Sequence, residues 1–222
     1  MSRNNNRHSK RWSKRKLQQR IGPTAGVRRR AKRPGAAYRR RASQTHRSEP
    51  FNAPEDWHEP AGRDDVRVIV QKPGDGYVHA VTADDVKDRI AELPKRFTEQ
   101  LEVVQLSGMT RKRALFPCYG MQWATTVYLY PIEDSLVEVY DRPPHPEQVI
   151  EARMYGGRWE QEGHEWKLIW TPQTIRDFYL NNILIHEIGH TLDDRNTSYV
   201  DRERYANWFA TEYGYRASRG RR

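Results

Sequence analysis

The chain has 222 residues, with 39 Lys or Arg against 29 Asp or Glu, and 36% of it is hydrophobic. That length suits one domain of ordinary size with extensions, and the low apolar share places part of the chain outside any core. The single cysteine, Cys118, excludes an intrachain disulfide and a cysteine-based zinc site, and no apolar run approaches the ~18 residues of a membrane span.

The charge is divided along the chain. Residues 1–47 hold seventeen Lys or Arg and no acid, and the last seven residues add four Arg. All 29 acidic residues therefore fall in 48–215 beside 18 basic ones, which makes that part formally −11. Residues 1–47 are nearly free of large aliphatics and read as a disordered basic tail. Its arginine runs, Arg28, Arg29 and Arg30 and then Arg39, Arg40 and Arg41, would displace counterions from a polyanion, so nucleic acid is the first expected partner of the tail. Residues 48–63, with Pro54, Pro60 and Gly62, read as a linker or a strap across the domain surface. The folded domain is expected over 64–215, followed by a basic C-terminal tail, 216–222. No secretory signal opens the chain, and the cysteine usage favours a reducing compartment. The expected location is cytoplasmic, with organelle targeting and nucleoid association as alternatives.

The stretches Val66–Val70 and Tyr77–Val81 read as strands joined by turn residues, which predicts a hairpin. Thr82 and Asp85 form a capping-box-like start for a helix from Ala83 to about Leu93. Strands are expected at Leu101–Leu106, Thr125–Tyr130 and Leu136–Tyr140, then a loop over Arg142–Glu147. A tryptophan-rich hairpin ends with Trp166–Trp170, and its tryptophans are expected to pack a core. Thr171 and Pro172 suit the start of a helix whose apolar spacing (Ile175, Phe178, Ile185, Leu192) runs to about Asp194. Ser198 and Asp201 start a second helix, which Gly214 is placed to end. Strands followed by a helical hairpin indicate an α+β domain with a mixed or antiparallel sheet.

The penultimate helix contains His186-Glu187-Ile188-Gly189-His190. Residues four apart lie on one helical face, so both imidazoles can aim at one ion, while Glu187, about 100° round, can reach a water on it. Zinc takes nitrogen and oxygen donors in a tetrahedron, and a catalytic site needs three protein ligands. Glu203 is the expected third. His190 lies roughly 6 Å before the turn and Glu203 roughly 7.5 Å after it, so a helical hairpin sets them level. Gly189, Ala206 and Ala210 would let the helices approach. Asp193 and Asp194 are the alternative third ligands; otherwise they, with Asn207, would brace the ligands or face solvent.

HEIGH followed by ERYANWFA, Glu203 to Ala210, resembles the ImmA/IrrE-type metallopeptidases, whose pattern is H-E-x-G-H and then E-x-x-A-N-x-F-A. His186, Glu187, Gly189, His190, Glu203, Ala206, Asn207, Phe209 and Ala210 meet every fixed position. The frame is also similar to the lethal-factor type of zinc peptidase. Both resemblances imply a zincin-like fold, one zinc ion and hydrolysis of a protein or peptide substrate. Glu187 would act as general base, and the oxyanion donor could be His145, Tyr155, His164 or Tyr199. The strand that aligns substrate is expected to be Thr125–Tyr130 or Leu136–Tyr140. The competing expectation is a nucleic-acid-associated binding protein whose zinc site is structural or inactive.

Overall fold

A computed structural model describes residues 53–62, 65–115 and 117–220. The expected disordered tail, 1–47, lies outside the described residues. The rest is a single α+β domain.

Its centre is a four-stranded mixed sheet. Strands β1 (Arg67–Val70), β3 (Val103–Leu106) and β5 (Thr126–Leu129) run parallel, and β4 (Gly120–Trp123) runs antiparallel to β5, giving the order β1-β3-β5-β4. Residues of β3 and β5 are buried on both faces, as central strands must be. The short β2 (Tyr77–Val78) pairs with β6 (Ile132–Glu133), and β7 (Val137–Tyr140), β9 (Glu165–Ile169) and β8 (Arg158–Glu162) make a third sheet in the order β7-β9-β8.

The hairpin expected between 66–70 and 77–81 does not form. The turn-rich Gln71–Gly76 bonds to the end of β3 and the chain after it: Gln71 N–H donates to Leu106 O, Gly108 N–H to Gln71 Oε1 and Met109 N–H to Pro73 O. β1 is thereby zipped parallel to β3. Among the elements with no local signal strong enough to predict are α2 (Arg111–Leu115), β4 and α3 (Pro146–Met154). The last begins inside the expected Arg142–Glu147 loop, with Pro146 at its first turn and Gln148 Oε1 accepting from His145 N at 2.6 Å.

One face of the central sheet packs on α1 (Ala83–Ala91) and on the long helix that carries the histidines. Val104, Leu106, Val127 and Leu129 meet Ile183, Leu184, Ile185 and Ile188 in a single core. Trp170 stacks on Phe178 at 4.9 Å, and Trp159 lies against Tyr140 at 4.9 Å, so these tryptophans pack the core as expected. Trp208 does not, being about half exposed.

The opposite face bears Cys118, Met121, Tyr128 and Tyr130. Residues 53–62 cover it as a strap. Asp56 O accepts from Tyr128 Oη at 2.8 Å, and His58 bonds Gln105 at 2.6 Å. The Glu102 carboxylate accepts from the backbone N–H groups of Ala61 and Gly62. Glu55 sits 3.7 Å from the guanidinium of Arg113, which is 1% exposed and lies over the Tyr130 ring. The strap is thus part of the domain rather than a spacer before it.

Candidate metal centre

The helix bearing the motif is built in three pieces. Thr171 Oγ1 accepts from Thr174 N at 3.2 Å and caps α4 (Pro172–Phe178). A π-helical turn, Tyr179–Ile183, follows, and α5 (Leu184–Leu192) completes it. A π turn takes up an extra residue without the rotation that residue would add in an α-helix. It lets Ile175 and Phe178 face the core in the first half while the histidines face the site in the second. The Asn181 carbonyl in this turn accepts from Tyr155 Oη at 3.0 Å, and its side chain accepts from Arg89 Nε at 2.8 Å.

Ser198 Oγ accepts from Asp201 N at 3.1 Å and starts α6 (Tyr199–Phe209). This helix does not stop at Gly214. It continues through a second π segment, Ala210–Arg216, into α7 (Ala217–Arg219), so the expected C-terminal tail is helical to Arg219. Gly214 serves close approach instead: a Cβ there would lie 1.9 Å from Asn181 O. Higher up the same interface, a Cβ on Gly189 would lie 3.2 Å from Ala206 Cα and from Phe209 Cβ. Small residues at both levels bring α6 onto α5.

This approach brings three donors together. His186 Nε2 and His190 Nε2 are 3.1 Å apart, His190 Nε2 is 3.3 Å from Glu203 Oε1, and His186 Nε2 is 3.6 Å from Glu203 Oε2. Ligands about 2.0 Å from a tetrahedral ion stand about 3.3 Å from one another, so the three separations bracket that edge. Burial alone would raise the Glu203 carboxyl, but hydrogen bonds and charge from His186 and His190 hold it down to about 2, leaving a carboxylate at neutral pH. Two imidazoles and a carboxylate, mostly buried, form a donor set that fits zinc.

Glu187 is 1% exposed and within metal-binding distance of both histidines. It borders β4, since a Cβ on Gly120 would lie 3.0 Å from Glu187 Oε1. β4 is therefore the strand beside the site. The strands expected in that role are elsewhere: β5 is hydrogen-bonded on both sides, and β7 belongs to the third sheet. The approach to β4 is held by Glu138, whose buried carboxylate accepts from Tyr119 Oη at 2.7 Å and from Trp170 Nε1 at 3.1 Å.

The remaining candidates separate clearly. Asp193 is buried at the end of α5, but its Oδ1 accepts from Asn196 N and Nδ2, so it closes the turn between the helices. Asp194 and Asn207 are exposed, and among the described residues no hydrogen bond ties either to His186, His190 or Glu203. Neither braces the ligands. Arg202 donates to the backbone carbonyl of His190 at 3.3 Å and so ties α6 to the end of α5. Asn182, one turn before His186, donates to Glu151 of α3 at 2.7 Å and pins that helix beside the site. Neither residue stood out in the sequence, because their partners are distant in the chain. Of the four oxyanion candidates, the Tyr155 hydroxyl is committed to Asn181, while His145 and His164 are exposed in a helix start and a hairpin turn. Tyr199 is also exposed, at 38%, but lies one turn before Glu203 on the same helical face, which neither histidine does.

Cys118 is buried, and desolvation pushes its thiol up to about 12 even though Arg113 pulls it down. It is a packing group. No helix among the described residues is long and apolar enough to cross a membrane. No protein-family model, no curated protein and no solved structure matches this chain.

Proposed function

We propose that the protein is a zinc-dependent metallopeptidase of zincin-like type. The observation that carries this reading is the convergence of His186, His190 and Glu203 at tetrahedral separations beside a buried Glu187 that is not needed to complete the ligand set. A structural zinc site has four protein ligands and no use for a general base at its flank. The H-E-x-G-H and E-x-x-A-N-x-F-A resemblance supports the same reading.

When bound, zinc polarises a peptide carbonyl and acidifies a water. Glu187 accepts the water proton and returns it to the leaving nitrogen. The edge of β4 that is unpaired among the described residues would hold the substrate extended through main-chain hydrogen bonds, directly beside Glu187. Tyr199 is the side chain we assign to donate to the developing oxyanion. The wall of α5 and β4 around Glu187 excludes bulk water, which strengthens each of these interactions.

Metal analysis tests the site. The purified chain should carry one zinc; His186→Ala and His190→Ala should lose it, and Glu203→Ala should weaken it by at least about tenfold. Wild-type zinc affinity in Glu203→Ala would remove that residue from the ligand set.

The basic N-terminal arm adds a second partner class, nucleic acid, on the strength of its charge. Two truncations separate arm from domain. Removal of 1–47 should abolish salt-sensitive binding to DNA or RNA and leave zinc content and stability unchanged. Removal of 1–62 should also cost about 3 kcal/mol or more, because buried Arg113 and Glu102 lose their strap partners. Equal unfolding midpoints for the two truncations would show that the strap contributes nothing.

A further inference from the structure

Trp57 is the most conspicuous residue that the zinc site does not use. It is 52% exposed, a costly display for the largest side chain. Its neighbours in the strap are fixed on either side: Glu55 accepts from Thr110 Oγ1 at 2.8 Å, Asp56 O accepts from Tyr128 Oη, and the His58 ring stacks on Tyr128 at 6.2 Å. The indole is therefore held in place rather than trailing. Its ring meets Trp123 edge-on, with centroids 5.6 Å apart and planes at 77°.

Trp123 belongs to β4, the terminal strand of the central sheet among the described residues. Successive strand residues alternate faces. Gly120 faces Ile183 and Glu187, whereas Met121 and Trp123 face the strap. Met121 is buried, so Trp123 is the residue of this strand that shows the strap side an accessible aromatic surface. It stands three residues along from Gly120, roughly 10 Å at the rise of a strand.

We infer that Trp57 and Trp123 form an aromatic subsite that selects a large apolar side chain on an extended peptide paired with the free edge of β4. The inference rests on the peptidase reading for its substrate class. A residue directly opposite another across two strands shares its face. The peptide residue opposite Trp123 thus points its side chain at the aromatic pair, while the residue opposite Gly120 lies at Glu187. The subsite therefore reads a single position, about three residues from the bond beside Glu187. Aromatic and long aliphatic side chains fill an edge-to-face pair of this kind; acidic and small ones do not.

The test uses the full chain in zinc-loaded form and a library of random decapeptides. Peptides retained by Glu187→Gln are sequenced, and cut sites made by the wild type are mapped on the same library. The expected result is enrichment of Phe, Trp, Tyr, Leu or Met at one position. Enrichment should fall about tenfold in Trp57→Ala and be kept in Trp57→Phe, with zinc content unchanged in both. In the wild-type cut sites the enriched position should stand about three residues from the cut. Cleavage with a pattern that Trp57→Ala leaves unaltered would overturn the subsite and leave the peptidase reading standing. Enrichment dependent on Trp57 without any cleavage would do the reverse. Absence of both retention and cleavage would sink both.

Discussion

Glu187→Gln should retain one zinc per chain and the wild-type unfolding temperature while losing peptide-bond hydrolysis by a factor of about 10²–10⁴. The substitution is isosteric, so the close packing of this side chain on Gly120 survives, and residue 187 is only 1% exposed. The three donors assigned to the ion, His186, His190 and Glu203, are untouched, and Glu187, though within reach of both histidines, is not needed to complete that set in the proposed site. What is lost is the only function argued for this carboxylate, accepting a proton from water and returning it to the leaving nitrogen. The measurement is cleavage of an unfolded, fluorescence-quenched protein by both forms, with zinc determined on the same samples. A mutant as fast as the wild type would refute Glu187 as the base, and with it the reason for preferring an enzyme to a binding protein.

Gly214→Ala should be among the most destabilising single-methyl additions this chain can suffer. The new Cβ would sit 1.9 Å from Asn181 O, and the obstacle is backbone, which cannot swing aside. The Asn181 carbonyl is itself held by Tyr155 Oη. The two π segments must separate, which opens the α5–α6 interface that sets Glu203 against the histidines. Overpacking of this severity costs about 3 kcal/mol or more, and for a chain of this size each kcal/mol lowers Tm by about 2–4 °C. A fall of about 10 °C with weakened zinc binding is expected. Gly163→Ala is the control: its φ of +61° strains any side chain, but nothing lies within 4 Å, so the cost should stay near about 1–2 kcal/mol. Comparable melting of Gly214→Ala and the wild type would mean that the helices have slack the interface does not show.

Features written in local chemistry were legible from the sequence. Thr82, Thr171 and Ser198 each cap the helix that their spacing to the next polar residue announced. The histidine pair and Glu203 were legible for the same reason: helical rise fixes their levels before any tertiary contact is known. Pairing between strands was not. Val66–Val70 looks like half of a hairpin, yet its partner is β3, more than thirty residues on, and nothing within the stretch encodes that choice. β4 escaped notice because Gly120-Met121-Gln122-Trp123 has neither the β-branched content nor the length of a convincing strand. Gly120 is glycine for the sake of Ile183 and Glu187, a requirement visible only once the helix is laid across it. Gly214 misled for a related reason. A glycine near the end of a helical pattern suggests a stop, whereas here it marks a crossing.

The π turn at Tyr179–Ile183 has a further consequence for how this protein could be altered or compared. The long helix is two rotational frames spliced together, one obeying the core and the other the metal site. Excising a single residue from the splice would leave hydrophobicity, length and charge almost unchanged. It would turn the π turn into an ordinary α turn and keep His186, Glu187 and His190 nearly in place relative to Ile175 and Phe178; a residue removed from the regular part of the helix would instead swing them by about 100°. An ideal helix with the same number of residues grafted in its place could satisfy either frame but not both, whereas a relative lacking the extra residue would reach the same site on a plain α-helix with the same packing.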